Sequence, residues 1–291
     1  MTEQAPINEE SEKLRSLLVE QARALVNNLI TSTGRHVPPF PIDELAKLQG
    51  IKRIEKIDLG ETDAALLKLT DGYVIRVNTN HHPYRQNFSC AHEIGHTLLH
   101  DLERKSTDSP EFRTITSSVG RKTRERLCDA FAAELLMPEP IFRKYLLRFG
   151  ASANAMEWLS NTFRVSIPAV AIRTAQISEE PCIAILWRRC EKARSKGFLL
   201  IWSARPEETL HGGDFHIQER VYVRDPSTLL KAYQGYGVIK SFKTLELGKV
   251  KKRCYMESKG FGHKNTRYVI SLVFPERQQE PRSEESDYVC Q

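Results

Sequence analysis

The fold of this chain is decided by the stretch Phe88-Ser89-Cys90-Ala91-His92-Glu93-Ile94-Gly95-His96-Thr97-Leu98-Leu99-His100. It contains the pattern His-Glu-x-x-His, with Glu93 directly after His92 and His96 four residues after His92. On a helix, residues four apart lie on one face about 6 Å from each other, so both imidazoles can point a ring nitrogen at one Zn²⁺. Glu93 can then act as a general base toward a water at the metal without binding the metal itself. The stretch therefore predicts a helix that carries two metal ligands and a base.

The pattern is short enough to occur by chance, so its surroundings decide what it means. Phe88, Ile94 and Leu98 are apolar and can bury the remaining surface of the helix. This favours a half-buried helix over a surface helix with scattered histidines.

The whole chain has the composition of an ordinary soluble protein, with 291 residues, 40% hydrophobic residues, 27% charged residues and a net charge of +6. No run approaches the roughly eighteen apolar residues of a membrane helix, and the acidic N-terminus lacks a signal-peptide pattern. The six cysteines include no Cys-x-x-Cys pair and are typical of reduced thiols. We therefore expect a cytoplasmic protein with no membrane partner.

Periodicity and turn residues predict an α+β multidomain chain. An Asp71-Gly72 hairpin leads into a strand at 73–78, whose free edge could hold an extended peptide. Two short helices around a turn at Ser166 resemble a helix-turn-helix, and strands follow it. The predicted parts are a disordered N-terminus at 1–10, the domain with the histidine motif at 11–150, the helix-turn-helix at 151–178, a strand-rich domain at 179–275 and a disordered tail at 276–291.

A catalytic zinc normally has three protein ligands, so one more must be found. His100 is too far away, because in an unbroken helix it stands two turns, about 12 Å, from His92. Glu125 and Asp129 share a face of the next predicted helix. Glu125 could bind the metal while Asp129 accepts the free N–H of a liganding histidine. Spacing alone leaves open that both are solvated carboxylates balanced by the arginines and lysines around them.

Two segments together resemble the ImmA/IrrE metallopeptidases. They are Ala91-His92-Glu93-Ile94-Gly95-His96 and Phe131-Ala132-Ala133-Glu134-Leu135-Leu136-Met137-Pro138. The longer match is to the deinococcal branch of this family, the IrrE-type regulators of the radiation and desiccation response.

The resemblance implies metal ligands at His92, His96 and Glu125, with Glu93 as the base. Asp129 stands where related sequences can carry Asn, and either side chain can accept a histidine N–H. The resemblance also implies a gluzincin-like peptidase domain, a helix-turn-helix and a C-terminal GAF-like domain. The implied activity is cleavage of a helix-turn-helix repressor, which induces a stress response to DNA damage. The implied cofactor is Zn²⁺, with Mn²⁺ as an exchangeable alternative.

A different class of function stays open: a DNA-binding or ligand-sensing transcriptional regulator in which the metal is structural. Direct DNA readout is not favoured, because the second short helix offers only Arg173 and Gln176 to base edges. The GAF-like domain could hold a small ligand, although no pocket residue can be named. Its basic runs predict either a solvated hairpin or a phosphate-rich or acidic partner.

Overall fold

A computed structural model describes residues 9–105, 119–192, 195–205, 222–223, 227–247, 250–262 and 267–277. The chain divides into two compact units, of which unit 1 contains residues 1–144 and 158–169, and unit 2 contains the rest. Most of the two predicted disordered ends, and residues 106–118 of the polar stretch after His100, lie outside the described residues. The predicted domain boundaries stay predictions. None of the described helices combines the length and apolar composition that a membrane span requires.

Unit 1 begins with helix α1, Glu9–Thr33, so residues 9 and 10 are helical although a disordered N-terminus is predicted at 1–10. Its buried leucines recur at helical spacing, which places them on one face: Leu14, Leu18, Leu25 and Leu29. Helix α1 packs along a later helix, Arg121–Leu136, which we call α4. The α1 side chain of Arg23 donates from Nε to the buried carboxylate of Glu134 in α4, at 2.7 Å.

A short helix α2, Ile42–Leu48, leads into a three-stranded sheet. The strands are β1, Ile51–Ile57, β2, Ala64–Leu69, and β3, Gly72–Asn78. The predicted hairpin is confirmed, since β2 and β3 pair antiparallel from Leu69–Gly72 to Ala64–Val77.

The prediction that the strand at 73–78 has a free edge is wrong. Strand β3 lies in the middle of the sheet, because β1 pairs with its other side in parallel. The local sequence does not show this pairing, because β2 stands between β1 and β3 in the chain. Among the described strands, the free edges of this sheet belong to β1 and β2.

Helix α3, Pro83–Lys105, contacts β2, β3 and α4. Its proline suits the first helical turn, where a backbone N–H has no helical partner. The helix continues past His100 without a break, which keeps that residue two turns from His92. Helix α5 follows α4 at Glu139–Phe149.

The two short predicted helices are present as α6, Ala155–Phe163, and α7, Ile167–Ile177. The turn between them places Arg164 at φ +52°, and Ser166 Oγ accepts a hydrogen bond from the N–H of Ala169 at 3.3 Å. Helix α7 is buried over most of its surface, and its Arg173 is only 6% exposed.

Unit 2 contains a six-stranded antiparallel sheet in the order β6-β5-β4-β9-β8-β7. The strands are β4, Ile183–Lys192, β5, Ser195–Ala204, β6, Tyr222–Val223, β7, Ile239–Leu247, β8, Val250–Phe261, and β9, Tyr268–Phe274. Helix α8, Ser227–Gln234, contributes Leu229 and Ala232 to the core on one face of the sheet. Strand β7 was not predicted, because its lysines dilute the alternation of apolar residues.

Candidate metal centre

Helix α3 presents both histidines of the motif on one half-buried face. The side chain of His92 is 16% exposed and that of His96 is 23% exposed. Their Nε2 atoms lie 3.1 Å apart. The four-residue spacing thus brings two imidazole nitrogens to one point, as the sequence predicts.

Helix α4 brings a carboxylate to the same point. Glu125 Oε2 lies 3.2 Å from His92 Nε2 and 3.8 Å from His96 Nε2. Two ligand atoms of one tetrahedral zinc at 2.0–2.2 Å from the ion are expected to lie about 3.4 Å apart. The three donor atoms of His92, His96 and Glu125 therefore fit a single ion.

Asp129, one helical turn after Glu125, contacts the other nitrogen of His92. The Nδ1–H of His92 donates to Asp129 Oδ1 at 2.9 Å. This hydrogen bond leaves Nε2 as the unprotonated, ligand-side nitrogen and increases its basicity. Burial lowers the pKa of His92, but the bond to Asp129 and the negative charges of Asp129, Glu93 and Glu125 together outweigh burial, so the pKa lies above the usual value. The pKa of His96 is lowered by burial and by the neighbouring His92.

Glu93 lies on the sheet side of α3. Burial raises the pKa of its carboxyl group, and the nearby Glu125 raises it further, against the opposing effect of His92. The backbone N–H of Leu66 in β2 donates a hydrogen bond to the Glu93 carboxylate. A carboxylate with a raised pKa, held next to two histidines, accepts a proton more readily than a free glutamate does.

Sequence reasoning missed Cys128, which lies on α4 between the two carboxylates. A donor atom of each of His92, His96 and Cys128 lies within 4.8 Å of the others, so these three residues could also hold a metal. The Cys128 side chain is fully buried, and burial raises the pKa of its thiol. Only its spacing from Glu125, three residues along the helix, could have indicated it. The separations of 3.2 and 3.8 Å favour Glu125 as the third ligand.

Gly95 explains how α4 comes so close to α3. A Cβ atom at this position would lie 3.2 Å from Cys128 Cα and 3.2 Å from the ring of Phe131. The missing side chain therefore lets the backbone of α4 pass directly beside the two histidines, which places Glu125 and Asp129 within reach of them.

Comparison with known proteins relates the chain to metalloproteases. Residues 47–175 match the family model described as IrrE N-terminal-like domain, Peptidase_M78. The chain is 34% identical over 113 residues to the radiation response metalloprotease IrrE of Deinococcus radiodurans, which covers 38% of this chain and 33% of that protein. It is 31% identical over 166 residues to the protein of the same name from Deinococcus deserti, with 56% of each covered. The chain thus spans between a third and about half of the length of these relatives.

A solved structure titled "Mycobacterium tuberculosis transcriptional regulator" shares the fold, with a TM-score of 0.55 over 92% of this chain and 81% of that one. The sequence identity is 15%, so the likeness concerns the fold alone.

Proposed function

We propose a function from one premise: through residues 47–175 this chain belongs to the ImmA/IrrE family of metallopeptidases. The proposed activity is metal-dependent, site-specific cleavage of a helix-turn-helix transcriptional repressor, which induces a stress response to DNA damage. The observation that carries the peptidase part is the convergence of three donor atoms from His92, His96 and Glu125 beside the half-buried base Glu93.

The residues of the site would have separate roles in metal binding and in proton transfer. His92, His96 and Glu125 would hold the ion, and Asp129 would orient His92. A bound Zn²⁺, or Mn²⁺ in exchange for it, supplies Lewis acidity and a water of lowered pKa. Glu93 would accept the proton of the attacking water and donate it to the leaving amine. Its raised pKa suits both steps, because a weakly acidic carboxyl group gives and takes a proton with similar ease.

The substrate would lie along β2. Within the described residues the outer edge of β2 has no strand partner, and its Leu66 donates to Glu93. An extended peptide that adds to this edge would bring its main chain beside the base and the histidines. We propose this edge in place of β3, which is paired on both sides.

The repressor, the gluzincin-like, helix-turn-helix and GAF-like assignments and the cytoplasmic location are proposals as well. The relatives named radiation response metalloprotease support the stress response. Burial of α7, including Arg173, supports a packing or repressor-docking role over direct DNA readout, because a recognition helix must expose side chains to base edges.

One observation favours the alternative of a non-proteolytic DNA-binding or ligand-sensing regulator. If Cys128 and Glu125 both bind the ion with the two histidines, the site has four protein ligands, which is typical of structural zinc. The peptidase proposal requires that Cys128 does not coordinate the metal.

The deciding experiment uses Glu93→Gln. The variant and the wild type are each incubated with helix-turn-helix repressors of the same organism, with Zn²⁺ or Mn²⁺, and the products are identified by mass spectrometry. We expect equal metal content in both proteins and cleavage by the wild type only. Cleavage by Glu93→Gln, or no cleavage by the wild type while it shifts operator DNA, would refute the peptidase proposal.

A further inference from the structure

Strand β8 extends beyond its partner β9. The β8–β9 ladder runs from Phe261–Tyr268 to Tyr255–Phe274 and stops there, while β8 continues back to Val250 and pairs with β7 alone. The residue after Phe274 is Pro275, which has no N–H to donate and ends the ladder. Among the described strands, none pairs with the β9 side of Lys252–Cys254.

A cavity of about 690 Å³ lies at this place. It is lined by residues that flank the end of the ladder on both strands and by one aromatic residue of β7: Phe242, Lys252, Arg253, Pro275, Glu276 and Arg277. The space is therefore next to a strand edge that no described strand covers.

The cations of this lining differ in how far they are neutralised. Arg277 is held by Glu180, with Nε donating to Oε1 at 2.8 Å, and its guanidinium lies 3.8 Å from the ring centre of Phe274. Among the side chains that the structure describes, no carboxylate pairs with Lys252 or Arg253, and Glu276 is the one acidic residue of the lining. The guanidinium of Arg253 is exposed and lies 5.0 Å from the ring centre of Phe242, which fixes it above the cavity.

Lysines at a sheet edge often serve only to prevent association with other strands. A lysine opposes pairing with a neutral strand because its charge would lose water, and it opposes pairing with a basic strand by charge repulsion. An acidic strand, in contrast, is attracted to it. A free main-chain edge, an adjoining cavity and two cations without carboxylate partners together match the requirements of strand addition.

We propose that the β8 edge at Lys252–Cys254 binds an extended acidic peptide segment as an added strand. Main-chain hydrogen bonds to β8 would supply the alignment, and Lys252 and Arg253 would select acidic side chains. This inference concerns unit 2 and does not depend on the proposed peptidase activity.

The test measures fluorescence anisotropy of a labelled peptide of alternating Glu and Thr with the full chain, in the Glu93→Gln background so that the probe stays intact. We expect saturable binding that weakens with added salt. Arg253→Glu should weaken it by about tenfold or more, since it removes one attraction and adds one repulsion. Lys231→Glu is the matched control: Lys231 is exposed in the last turn of α8, whose Ala232 lies beside Gly260, seven residues and about 23 Å along β8 from Arg253. Its reversal should change binding by less than about twofold.

Two further probes separate strand addition from plain charge attraction. The same peptide with alternate backbone nitrogens methylated should lose binding, and oligothymidylate of equal charge should bind more weakly than the peptide. Equal binding of the methylated peptide, tighter binding of oligothymidylate, or no effect of Arg253→Glu would each overturn the proposal. Arg253→Gln, checked for folding by circular dichroism, replaces the reversal if that variant does not fold.

Discussion

Gly95→Ala is expected to weaken metal binding, although alanine has a higher helix propensity than glycine. The new Cβ would meet Cys128 Cα at 3.2 Å and the Phe131 ring at 3.2 Å. Phe131 is fully buried and Cys128 contributes a backbone atom, so neither can swing aside. Helix α4 must therefore move away from α3 by a few tenths of an ångström.

The magnitudes decide the sign of the stability change. Replacing Gly by Ala inside a helix contributes up to about 1 kcal/mol, while overpacking a well-packed contact costs about 1–3 kcal/mol. We expect a net loss of about 0–2 kcal/mol. Glu125 lies one turn before Cys128 on the same helix, so the shift lengthens its 3.2 Å separation from His92. Metal affinity should fall by about tenfold, at the lower end of what misplaced ligands cost.

Urea denaturation measures the first effect, and competition with a chromogenic zinc chelator measures the second. Gly120→Ala serves as the control, because Gly120 has an ordinary φ of −68° and no atom within 4 Å of its added Cβ. It should cost less than about 1 kcal/mol as a change at a helix N-cap and leave zinc affinity unchanged. A Gly95→Ala protein that is more stable than wild type and binds zinc equally well would refute the close-approach argument.

Three further comparisons, each between two substitutions, test the site and one turn. Asp129→Ala should reduce zinc affinity by about 10–100-fold, and Asp129→Asn should retain most of it, in the same chelator competition; equal losses would contradict the hydrogen-bonding role. Glu125→Ala should abolish stoichiometric zinc in metal analysis, whereas Cys128→Ala should leave it bound; the reverse result would make the thiol the third ligand. Arg164→Gly should raise stability relative to Arg164→Ala by about 1 kcal/mol in urea denaturation, because only glycine avoids the Cβ clash at φ +52°; no difference would mean that the turn is unstrained.

The histidine helix could be predicted from sequence because its information is local. Four-residue spacing places His92 and His96 together on any α-helix, and the shared face of Glu125 and Asp129 follows from the same rule. Whether Glu125 and Asp129 face the histidines or are solvated carboxylates depends on whether α4 lies against α3. That packing rests on Gly95, whose role shows only when a second helix is placed beside it.

The errors have a different origin. The free edge assigned to the strand at 73–78 failed because a parallel neighbour, β1, comes from an earlier part of the chain. Strand β7 was missed because its alternation is diluted by lysines, and pairing with β8 decides its structure. Cys128 was overlooked because burial and the approach of α3, not its neighbours in sequence, bring it to the histidines. Each case depends on a contact between segments far apart in the chain.

The contact between α1 and α4 bears on how this domain can be dissected and how its relatives can diverge. The matched family domain begins at residue 47, yet α1, which ends at Thr33, packs along the helix that carries Glu125. Its Arg23 neutralises Glu134, a carboxylate that is 1% exposed and lies nine residues, about 14 Å, further along that helix. A fragment trimmed to the family limits would keep His92, His96 and Glu125 but would lose the helix that packs along α4. Changes in this N-terminal helix therefore offer evolution a way to shift the position of Glu125 while the motif residues stay the same.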